Sequence, residues 1–243
     1  MRLSILGVLL TLLLPSIAEA ACRDIDFDGL PYTICEVGIA DDIRLFQQAA
    51  DGRPYGSFDR VNAALAAEGK QLGFAMNAGM YHADRAPVGL MIEDGVERAP
   101  IVTAEGPGNF GLLPNGVFCI GERFAVIESR AFAAAPPACR FASQSGPMLV
   151  IDGALHPRFL VDSTSLYIRN GVGVSADGRT ATFAISNRRV TFHQFGRLFR
   201  DGLKLPDALY FDGSISRLYD AGRNRFDWGG PMGPMVGSVI PKG

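Results

Sequence analysis

Residues 209–214 constrain the fold most strongly, because an apolar run ends there abruptly in a carboxylate, a glycine and a hydroxyl. Leu209, Tyr210 and Phe211 are apolar or aromatic at successive positions, so a strand formed by them would be buried on both faces. We therefore expect a central strand that delivers Asp212 to the edge of a sheet. Asp-Gly is also a common hairpin turn, so a structural role for Asp212 is the alternative.

Other Asp-Gly pairs divide much of the chain into short strands. They lie between alternating apolar runs, as the turns of antiparallel hairpins do, at Asp94-Gly95, Asp152-Gly153 and Asp177-Gly178. A similar pair, Asp28-Gly29, indicates an N-terminal hairpin. Residues 88–128 read as a β-meander that includes a strand at 109–113, and residues 235–240 read as a last edge strand.

Helical periodicity is confined to two segments. In residues 58–68, apolar side chains fall on one face, Ser57 is placed to cap the helix and Gly69 to end it. A second helix is predicted near residues 192–201. These helices, together with the many short strands, predict an α+β fold: a single mixed domain with a largely antiparallel β-meander and a few packing helices.

The first twenty residues have the features of an export signal. Arg2 supplies a positive charge, residues 5–14 are apolar but too short to span a bilayer, and Ala18-Glu19-Ala20 matches the small-residue cleavage pattern. We expect residues 1–20 to be a signal peptide and residues 21–243 to be the functional domain. The product is expected to be periplasmic or secreted, with no integral membrane segment after cleavage.

Four cysteines follow the expected cleavage site: Cys22, Cys35, Cys119 and Cys139. An even number of cysteines in an exported chain favours disulfides over free thiols. Their order favours pairing Cys22 with Cys35 and Cys119 with Cys139, although three connectivities are formally possible. Zinc binding is the weaker interpretation, because the chain has no C-x-x-C spacing and no histidine near these cysteines in sequence.

Composition argues against several function classes. The chain is 48% hydrophobic, carries a formal net charge of -2 and has no block of lysines and arginines, so a nucleic-acid partner is not supported. The motifs of serine esterases, zincins, nucleotide triphosphatases and dinucleotide-binding proteins are absent. No cofactor is expected. Whether a metal binds is left open, because Asp84, Glu93 and Asp212 can converge but show no regular oxygen-ligand spacing.

A series of short motifs follows in order along the chain. They read MNAGMY, PVGLMIEDG, GNFGLLPNGVF, SQSGPMLVIDG, RNGVGVS, FAIS and ALYFDGSIS. In this order the motifs resemble those of the phosphodiester glycosidase family, over most of residues 30 to 240. The resemblance implies a mixed domain that hydrolyses the bond between a sugar anomeric carbon and a phosphate, as in N-acetylglucosamine-1-phosphodiesters.

The chemistry of such a reaction can be compared with the residues themselves. A phosphate diester leaves more easily than an alkoxide, so one carboxylate can act as nucleophile or as base for water, provided that cations or amides receive the charge on phosphate. Asp212 suits the first role, with Glu93 as the next candidate. Arg169, expected in a loop beginning Arg-Asn-Gly, suits the second, because its planar fork matches two phosphate oxygens. The alternative is that Arg169 pairs with a structural carboxylate.

Further polar residues at strand ends are candidates for contacts with substrate. His82 can shuttle a proton, although a loop histidine is often merely exposed, and Asn77 can bind sugar hydroxyls, although it can also cap its own loop. Gln144 and Ser145 lie beside Gly146, where a ligand can approach closely. The same ambiguity applies to the other candidates in this group, Asn109, Asn170, Ser186 and Ser214.

Two functions from different classes follow from these observations. The first is an exported phosphodiester glycosidase acting on a glycan or sugar phosphodiester. The second is a non-catalytic periplasmic glycan-binding or exopolysaccharide-assembly module, since a fold does not fix a function. The surroundings of Asp212 distinguish them: a pocket that Asp212 shares with Arg169 favours the enzyme, and an Asp212 that closes a hairpin with its side chain on backbone amides favours the module.

Overall fold

The computed structural model describes residues 21–243, so the expected signal peptide lies outside the described residues. Its strands in chain order are β1 (Ala21–Phe27), β2 (Leu30–Gly38), β3 (Ile43–Phe46), β4 (Lys70–Asn77), β5 (Met91–Glu93), β6 (Val96–Ala99), β7 (Gly116–Ile120), β8 (Phe124–Glu128), β9 (Phe141–Ser145), β10 (Met148–Ile151), β11 (Ala154–Leu155), β12 (Asn170–Val174), β13 (Thr180–Ser186), β14 (Asp207–Asp212), β15 (Leu218–Asp220), β16 (Arg225–Phe226) and β17 (Met235–Pro241). The helices are α1 (Phe58–Ala66), α2 (Ser129–Ala134) and α3 (Phe192–Arg197), and α3 continues into a π-helical turn, Leu198–Gly202.

These strands form three antiparallel sheets. The first sheet has seven strands in the order β1-β2-β13-β12-β14-β10-β11. The second has five strands in the order β16-β15-β4-β17-β3, and the third has five in the order β6-β5-β9-β7-β8. The predicted α+β class is therefore confirmed. The predicted hairpins β1–β2, β5–β6, β7–β8, β10–β11 and β12–β13 all form, whereas β9 lies between two hairpins of the third sheet.

The predicted central strand is β14, which lies between β12 and β10. Leu209 and Phe211 belong to the core between the sheets, whereas Ala208 and Tyr210 belong to a second core beneath α3 and the π-helical turn. Burial on both faces explains the continuous apolar run in the sequence. Asp212 ends this strand, as expected.

The core between the sheets is joined by aromatic contacts. The ring centroid of Phe183, from the first sheet, lies 5.4 Å from that of Phe74 in the second sheet and 5.6 Å from that of Phe118 in the third. Aromatic pairs at this distance add directional attraction to the burial of apolar area. The three sheets therefore pack as one unit around Phe183.

The predicted helices form close to their expected limits. Ser57 caps α1 by accepting a hydrogen bond from the Arg60 amide, and the buried side chains of α1 are Phe58, Val61 and Leu65. Thr191 and Gln194 form a capping box at the start of α3. Both helices present apolar side chains to a sheet, and that packing, more than their short length, stabilises them.

Two predictions about strands were wrong, and one strand was missed. Residues 109–113 form turns, because the Asn115 side chain donates to the Phe110 carbonyl and closes the loop. β9 was not predicted, because its serines and glutamine interrupt the apolar pattern expected of a strand that is buried at every position. β17 is not an edge strand but lies between β4 and β3, where Gly237 allows the backbone of Phe74 to approach.

Both predicted disulfides are present. Cys22 bonds to Cys35 across β1 and β2, and Cys119 of β7 bonds to Cys139 just before β9. No cysteine among the described residues is free. Disulfides are typical of proteins in oxidising compartments outside the cytoplasm. Within residues 21–243, no helix has both the length and the apolar character needed to cross a bilayer.

Candidate functional site

Asp212 lies where β14 leaves the first sheet, at a point that solvent partly reaches. Its Oδ1 atom accepts hydrogen bonds from the amides of Gly213, at 2.6 Å, and Ser214, at 2.8 Å. The turn therefore folds back onto its own carboxylate and fixes the side chain in one orientation. Sequence alone allowed an Asp-Gly hairpin here, but the chain continues into an irregular loop instead.

The electrostatics of Asp212 are unusual for a surface aspartate. Burial raises the pKa of its carboxyl above the ordinary value, and hydrogen bonds from the amides of Ser214, Gly213 and Ile215 only partly oppose this. Asp212 forms no ion pair with any cation in the described part of the chain. A carboxylate of this kind, oriented but not neutralised, is a candidate for nucleophile or general base.

A buried amide pair supports the base of this loop. Asn77, at the end of β4, and Asn170, at the start of β12, are both fully buried and exchange side-chain hydrogen bonds of 3.2 Å. Ser216 donates to the Asp212 carbonyl at 2.7 Å, and its hydroxyl also lies 3.2 Å from Oδ1 of Asn170. The amide of Arg217 donates to Oδ1 of Asn77. The pair thus joins two sheets to the loop that carries Asp212.

Arg169 is not in the open loop that the sequence suggested, and this prediction was wrong. Only 1% of its surface is exposed, and its guanidinium lies 3.6 Å from the ring centroid of Phe192. Its nitrogens donate to the carbonyls of Val190 and Ser165 and to the hydroxyl of Tyr210. Burial lowers the pKa of Arg169, and the structure gives it neither a carboxylate partner among the described residues nor direct access to a ligand.

Tyr210 connects this buried cation with the Asp212 turn. Its hydroxyl accepts a hydrogen bond from Nη1 of Arg169 at 3.3 Å, and it occupies the space where a side chain on residue 213 would lie. Glycine is therefore required at position 213 for the close approach of the Tyr210 hydroxyl. Burial raises the pKa of Tyr210, so its hydroxyl stays protonated.

Tyr81 connects Asp212 with two arginines, because the charges of Asp212, Arg85 and Arg217 all act on the pKa of its hydroxyl. Tyr81 is close enough to Asp212 for the charge of that carboxylate to contribute to a raised tyrosine pKa, for which burial is the larger cause. The guanidinium of Arg85 lies 5.3 Å from the Tyr81 ring centroid, and Arg217 bonds to the Gly230 carbonyl. Neither arginine forms an ion pair within residues 21–243. Tyr167 packs against Gly213 on the other side.

Glu93 lies in a different cleft from Asp212. This cleft, of about 520 Å³, is lined by Gln47, Asp84, Glu93 and Arg98 among others, and Asp212 is not part of its wall. Glu93 accepts a hydrogen bond from the Gln47 amide, and burial raises the pKa of its carboxyl. The convergence of Asp84, Glu93 and Asp212, which the sequence left open, is therefore not found, and no group of three metal-binding side chains occurs among the described residues.

Several predicted ligand contacts are structural in this fold. Gln144 is buried, and its amide bonds to the backbone of Leu90 and Val102 and to the Ser129 hydroxyl. The buried hydroxyl of Ser145 donates to the Phe211 carbonyl. That of Ser186 accepts from the Arg169 amide. These side chains are buried and bonded to neighbouring segments of the chain, so the structure places them as internal contacts and contradicts the prediction that they contact substrate.

The remaining candidates differ in their placement. His82 and Asn109 are exposed, and neither side chain has a hydrogen bond to the residues around Asp212. Ser214 is exposed beside Asp212, with its hydroxyl free to meet a ligand. Sequence reasoning missed Tyr81 and Arg217, although Tyr81 ends one of the motifs and Arg217 follows Asp212 by five positions.

Relatives in sequence and in structure match most of this chain. Residues 70–236 match a family model described as phosphodiester glycosidase. The chain is 35% identical over 181 residues to the uncharacterized protein YigE of Escherichia coli (strain K12), covering 74% of this chain and 70% of that protein.

Two solved structures have similar folds. The zebrafish N-acetylglucosamine-1-phosphodiester alpha-N-acetylglucosaminidase catalytic domain, auto-inhibited by its pro-peptide, is similar with a TM-score of 0.57 and 13% identity, over 90% of this chain and 82% of that chain. A candidate exported protein from Burkholderia pseudomallei K96243 is similar with a TM-score of 0.55 and 10% identity, over 86% and 74%. At these identities the structural likeness concerns the fold alone.

Proposed function

Because this chain belongs to the phosphodiester glycosidase family, we propose that it is an exported hydrolase that cleaves the bond between a sugar anomeric carbon and a phosphate. The substrate class is an anomeric sugar phosphodiester of the N-acetylglucosamine-1-phosphodiester type. Export is supported by the two disulfides and by the signal-like sequence of residues 1–20.

The observation that carries this proposal is the state of Asp212. Its carboxylate is oriented by the amides of Gly213 and Ser214, burial raises its pKa, and no cation of the described residues is bonded to it. Partial burial without a counter-ion destabilises a charged carboxylate, because the charge loses solvation there. An aspartate whose only function was to close a turn would not need such burial. Such an arrangement is typical of a group that gains a partner only when substrate binds.

In this mechanism Asp212 acts at the anomeric carbon. As general base it takes a proton from water, the water oxygen bonds to the anomeric carbon, and the bond from that carbon to the phosphate oxygen breaks with its electron pair going to phosphate. As nucleophile, its carboxylate oxygen makes the first bond and water then hydrolyses the glycosyl ester. Both routes release a free sugar and a phosphate monoester.

The departing phosphate needs compensation for its charge. Arg217 and Arg85 lie near enough to Tyr81 for their charges to act on its pKa, as the charge of Asp212 does, and neither has a carboxylate partner in the described structure. The hydroxyl of Ser214 is exposed beside Asp212. Arginine forks match phosphate oxygens in pairs. We assign Arg217 to the phosphate, and we assign Arg169 a positioning role that acts through Tyr210.

A sugar nucleotide assay tests this function. UDP-N-acetylglucosamine incubated with purified protein in ¹⁸O-labelled water should release N-acetylglucosamine carrying the label, because the anomeric carbon is the atom attacked. Asp212→Asn should lose turnover by several orders of magnitude, on the order of 10³-fold or more. Asp152→Asn, the same change in another Asp-Gly turn, is the matched control and should retain it. Label in phosphate, or full activity of Asp212→Asn, would contradict the proposal.

The second candidate is a non-catalytic glycan-binding or exopolysaccharide-assembly module. One observation favours it: 80% of Trp228 is exposed, and its ring lies 4.3 Å from that of Phe226, which presents a flat aromatic face to solvent. Aromatic faces of this kind stack on sugar rings. Glycan binding that Trp228→Ala abolishes, in a protein without hydrolytic activity toward any sugar phosphodiester, is the result that would favour this module.

A further inference from the structure

Most of the exposed large hydrophobic side chains lie in one short segment. The six in the described residues are Val96, Leu160, Val161, Leu166, Tyr167 and Trp228. Four of the six fall within residues 160–167, where Leu160 is 66% and Val161 is 76% exposed. Single exposed apolar residues need no explanation, but a concentrated group indicates an interaction surface. We call residues 160–167 the apolar loop.

The apolar loop is held in place at both of its ends. On one side Phe159 stacks on Phe192, with ring centroids 5.1 Å apart and planes 9° from parallel. On the other side Tyr167 exchanges backbone hydrogen bonds of 2.8 and 3.2 Å with Val190. Leu160 and Val161 are therefore presented to solvent by an anchored loop and not by an unfolded segment.

Positive charge borders the apolar loop. Arg188 and Arg189 immediately precede Val190, are exposed, and form no ion pair within the described structure. Arg158, which precedes the loop, pairs with Glu105 at 3.6 Å, and the loop itself contributes one acid, Asp162. Apolar side chains next to unpaired arginines complement a partner that is both apolar and anionic.

We propose that the apolar loop docks this protein on the surface of a membrane that contains anionic lipids. Leu160 and Val161 enter the boundary between headgroups and acyl chains, and Arg188 and Arg189 contact lipid phosphates. The two parts act together, since a short apolar insertion and a few charges each give only weak, reversible binding alone. A protein partner does not need this combination, whereas an anionic membrane surface offers both an apolar layer and negative charge.

The apolar loop lies next to the Asp212 turn, so docking on a membrane also positions Asp212. This step rests on the proposed function. Tyr167 ends the apolar loop and packs against Gly213, the residue after Asp212. A docked protein therefore holds Asp212 close to the lipid headgroups. The substrates best placed to reach it are sugar phosphodiesters whose second ester group is a lipid.

Vesicle co-sedimentation tests the docking. Protein purified from the periplasm of an expression host, with its N-terminus verified by mass spectrometry, is mixed with vesicles of phosphatidylglycerol and phosphatidylethanolamine, or of phosphatidylcholine alone. Wild-type protein should bind the anionic vesicles, and added salt should weaken this binding. The double variant Leu160→Ser/Val161→Ser should bind the anionic vesicles at least about tenfold more weakly than wild type does. Arg188→Gln/Arg189→Gln should lose the preference for anionic vesicles.

Two matched controls make the result decisive. Trp228→Ser removes the most exposed aromatic residue outside the loop and should bind vesicles as wild type does. Hydrolysis of soluble UDP-N-acetylglucosamine by the loop variants should equal that of wild type, so failure of docking and failure of the proposed function are read separately. Absence of wild-type binding to anionic vesicles, or equal binding by Leu160→Ser/Val161→Ser, would overturn the docking proposal.

Discussion

The side chains of Asn77 and Asn170 are paired through both of their amide groups, although they come from different sheets and are separated by 93 positions in sequence. Each residue is fully buried. Asn170 also lies opposite Asp212 in the pairing of β12 with β14, at an irregularity in the register. The pair therefore fixes the loop of Asp212 relative to both sheets.

A double-mutant cycle on this pair should show strong coupling. Asn77→Ala or Asn170→Ala alone leaves the other amide buried and partly unpaired, so each should lower the free energy of unfolding by about 1–3 kcal/mol. The double variant should cost less than the sum, because the unpaired group is then gone as well. Denaturant unfolding of the four proteins measures the coupling, and additive losses would show that the pair does not act as a unit.

Asp212→Asn should be more stable than wild type at neutral pH. The pKa of the folded-state carboxyl is raised above its ordinary value, so the folded state binds a proton more tightly than the unfolded state, and ionisation of Asp212 costs stability as pH rises through this raised pKa. The asparagine oxygen can still accept from Gly213 and Ser214. Thermal unfolding against pH should show a gain that shrinks as pH falls toward 3.8. Asp152→Asn controls for the loss of a charge, and a less stable Asp212→Asn would indicate a structural turn carboxylate.

Arg217→Met should weaken the binding of anionic substrates. The variant loses the guanidinium assigned to phosphate, and we expect KM for a sugar phosphodiester to rise about tenfold. Arg179→Met is the matched control, because Arg179 is exposed near the opposite end of β12 and also lacks an ion pair among the described residues. Steady-state kinetics of both variants provide the test. An equal change in the two would mean that general surface charge, and not Arg217, attracts the substrate.

Tyr210→Phe and Tyr32→Phe form a contrasting pair of variants. Both tyrosines are fully buried, but the Tyr210 hydroxyl accepts from Arg169 whereas the Tyr32 hydroxyl has no hydrogen-bond partner. Removing the first should lower the free energy of unfolding by about 1–3 kcal/mol, because a buried guanidinium loses an acceptor. Removing the Tyr32 hydroxyl should lower the free energy of unfolding only slightly, or should raise it. Similar losses measured by urea unfolding would contradict the role given to Arg169.

Loss of the disulfide between Cys119 and Cys139 should destabilise the domain. The double variant Cys119→Ser/Cys139→Ser should lower the free energy of unfolding by about 2–4 kcal/mol, since the open chain has more freedom when unfolded. Cys22→Ser/Cys35→Ser is the comparison, and its smaller separation of 13 residues against 20 predicts a smaller loss. An unchanged denaturation midpoint in the first variant would contradict this expectation.

The sequence predicted those features that depend on local pattern. The two-sided strand ending at Asp212 and the helix capped by Ser57 follow from residue types at fixed spacings, and the order of the cysteines favoured the two disulfides that form. The surroundings of Arg169 did not follow, because Phe192 and Tyr210 reach it from elements that are distant in sequence. An exposed arginine on phosphate and a buried arginine among aromatic rings look the same in a linear sequence.

The polar side chains of the third sheet were misassigned for a related reason. Gln144 and Ser145 stand next to a glycine, which is also how residues at a ligand site are often arranged. Only the fold shows that a loop running through Val102 takes up the Gln144 amide. Arg217 was missed for the opposite reason, because nothing near it in sequence shows that its amide bonds to Asn77 across the sheet boundary.

The burial of β14 on both faces has a consequence for how such an enzyme diversifies. Substitutions within the strand disturb two cores at once, so the carboxylate at its end is difficult to move. The residues that surround it, Tyr81, Tyr167 and Arg217, lie on separate irregular segments outside the long strands. Selection can therefore alter each segment independently, and under the proposed function related proteins can acquire different sugars and leaving groups while the carboxylate stays in place.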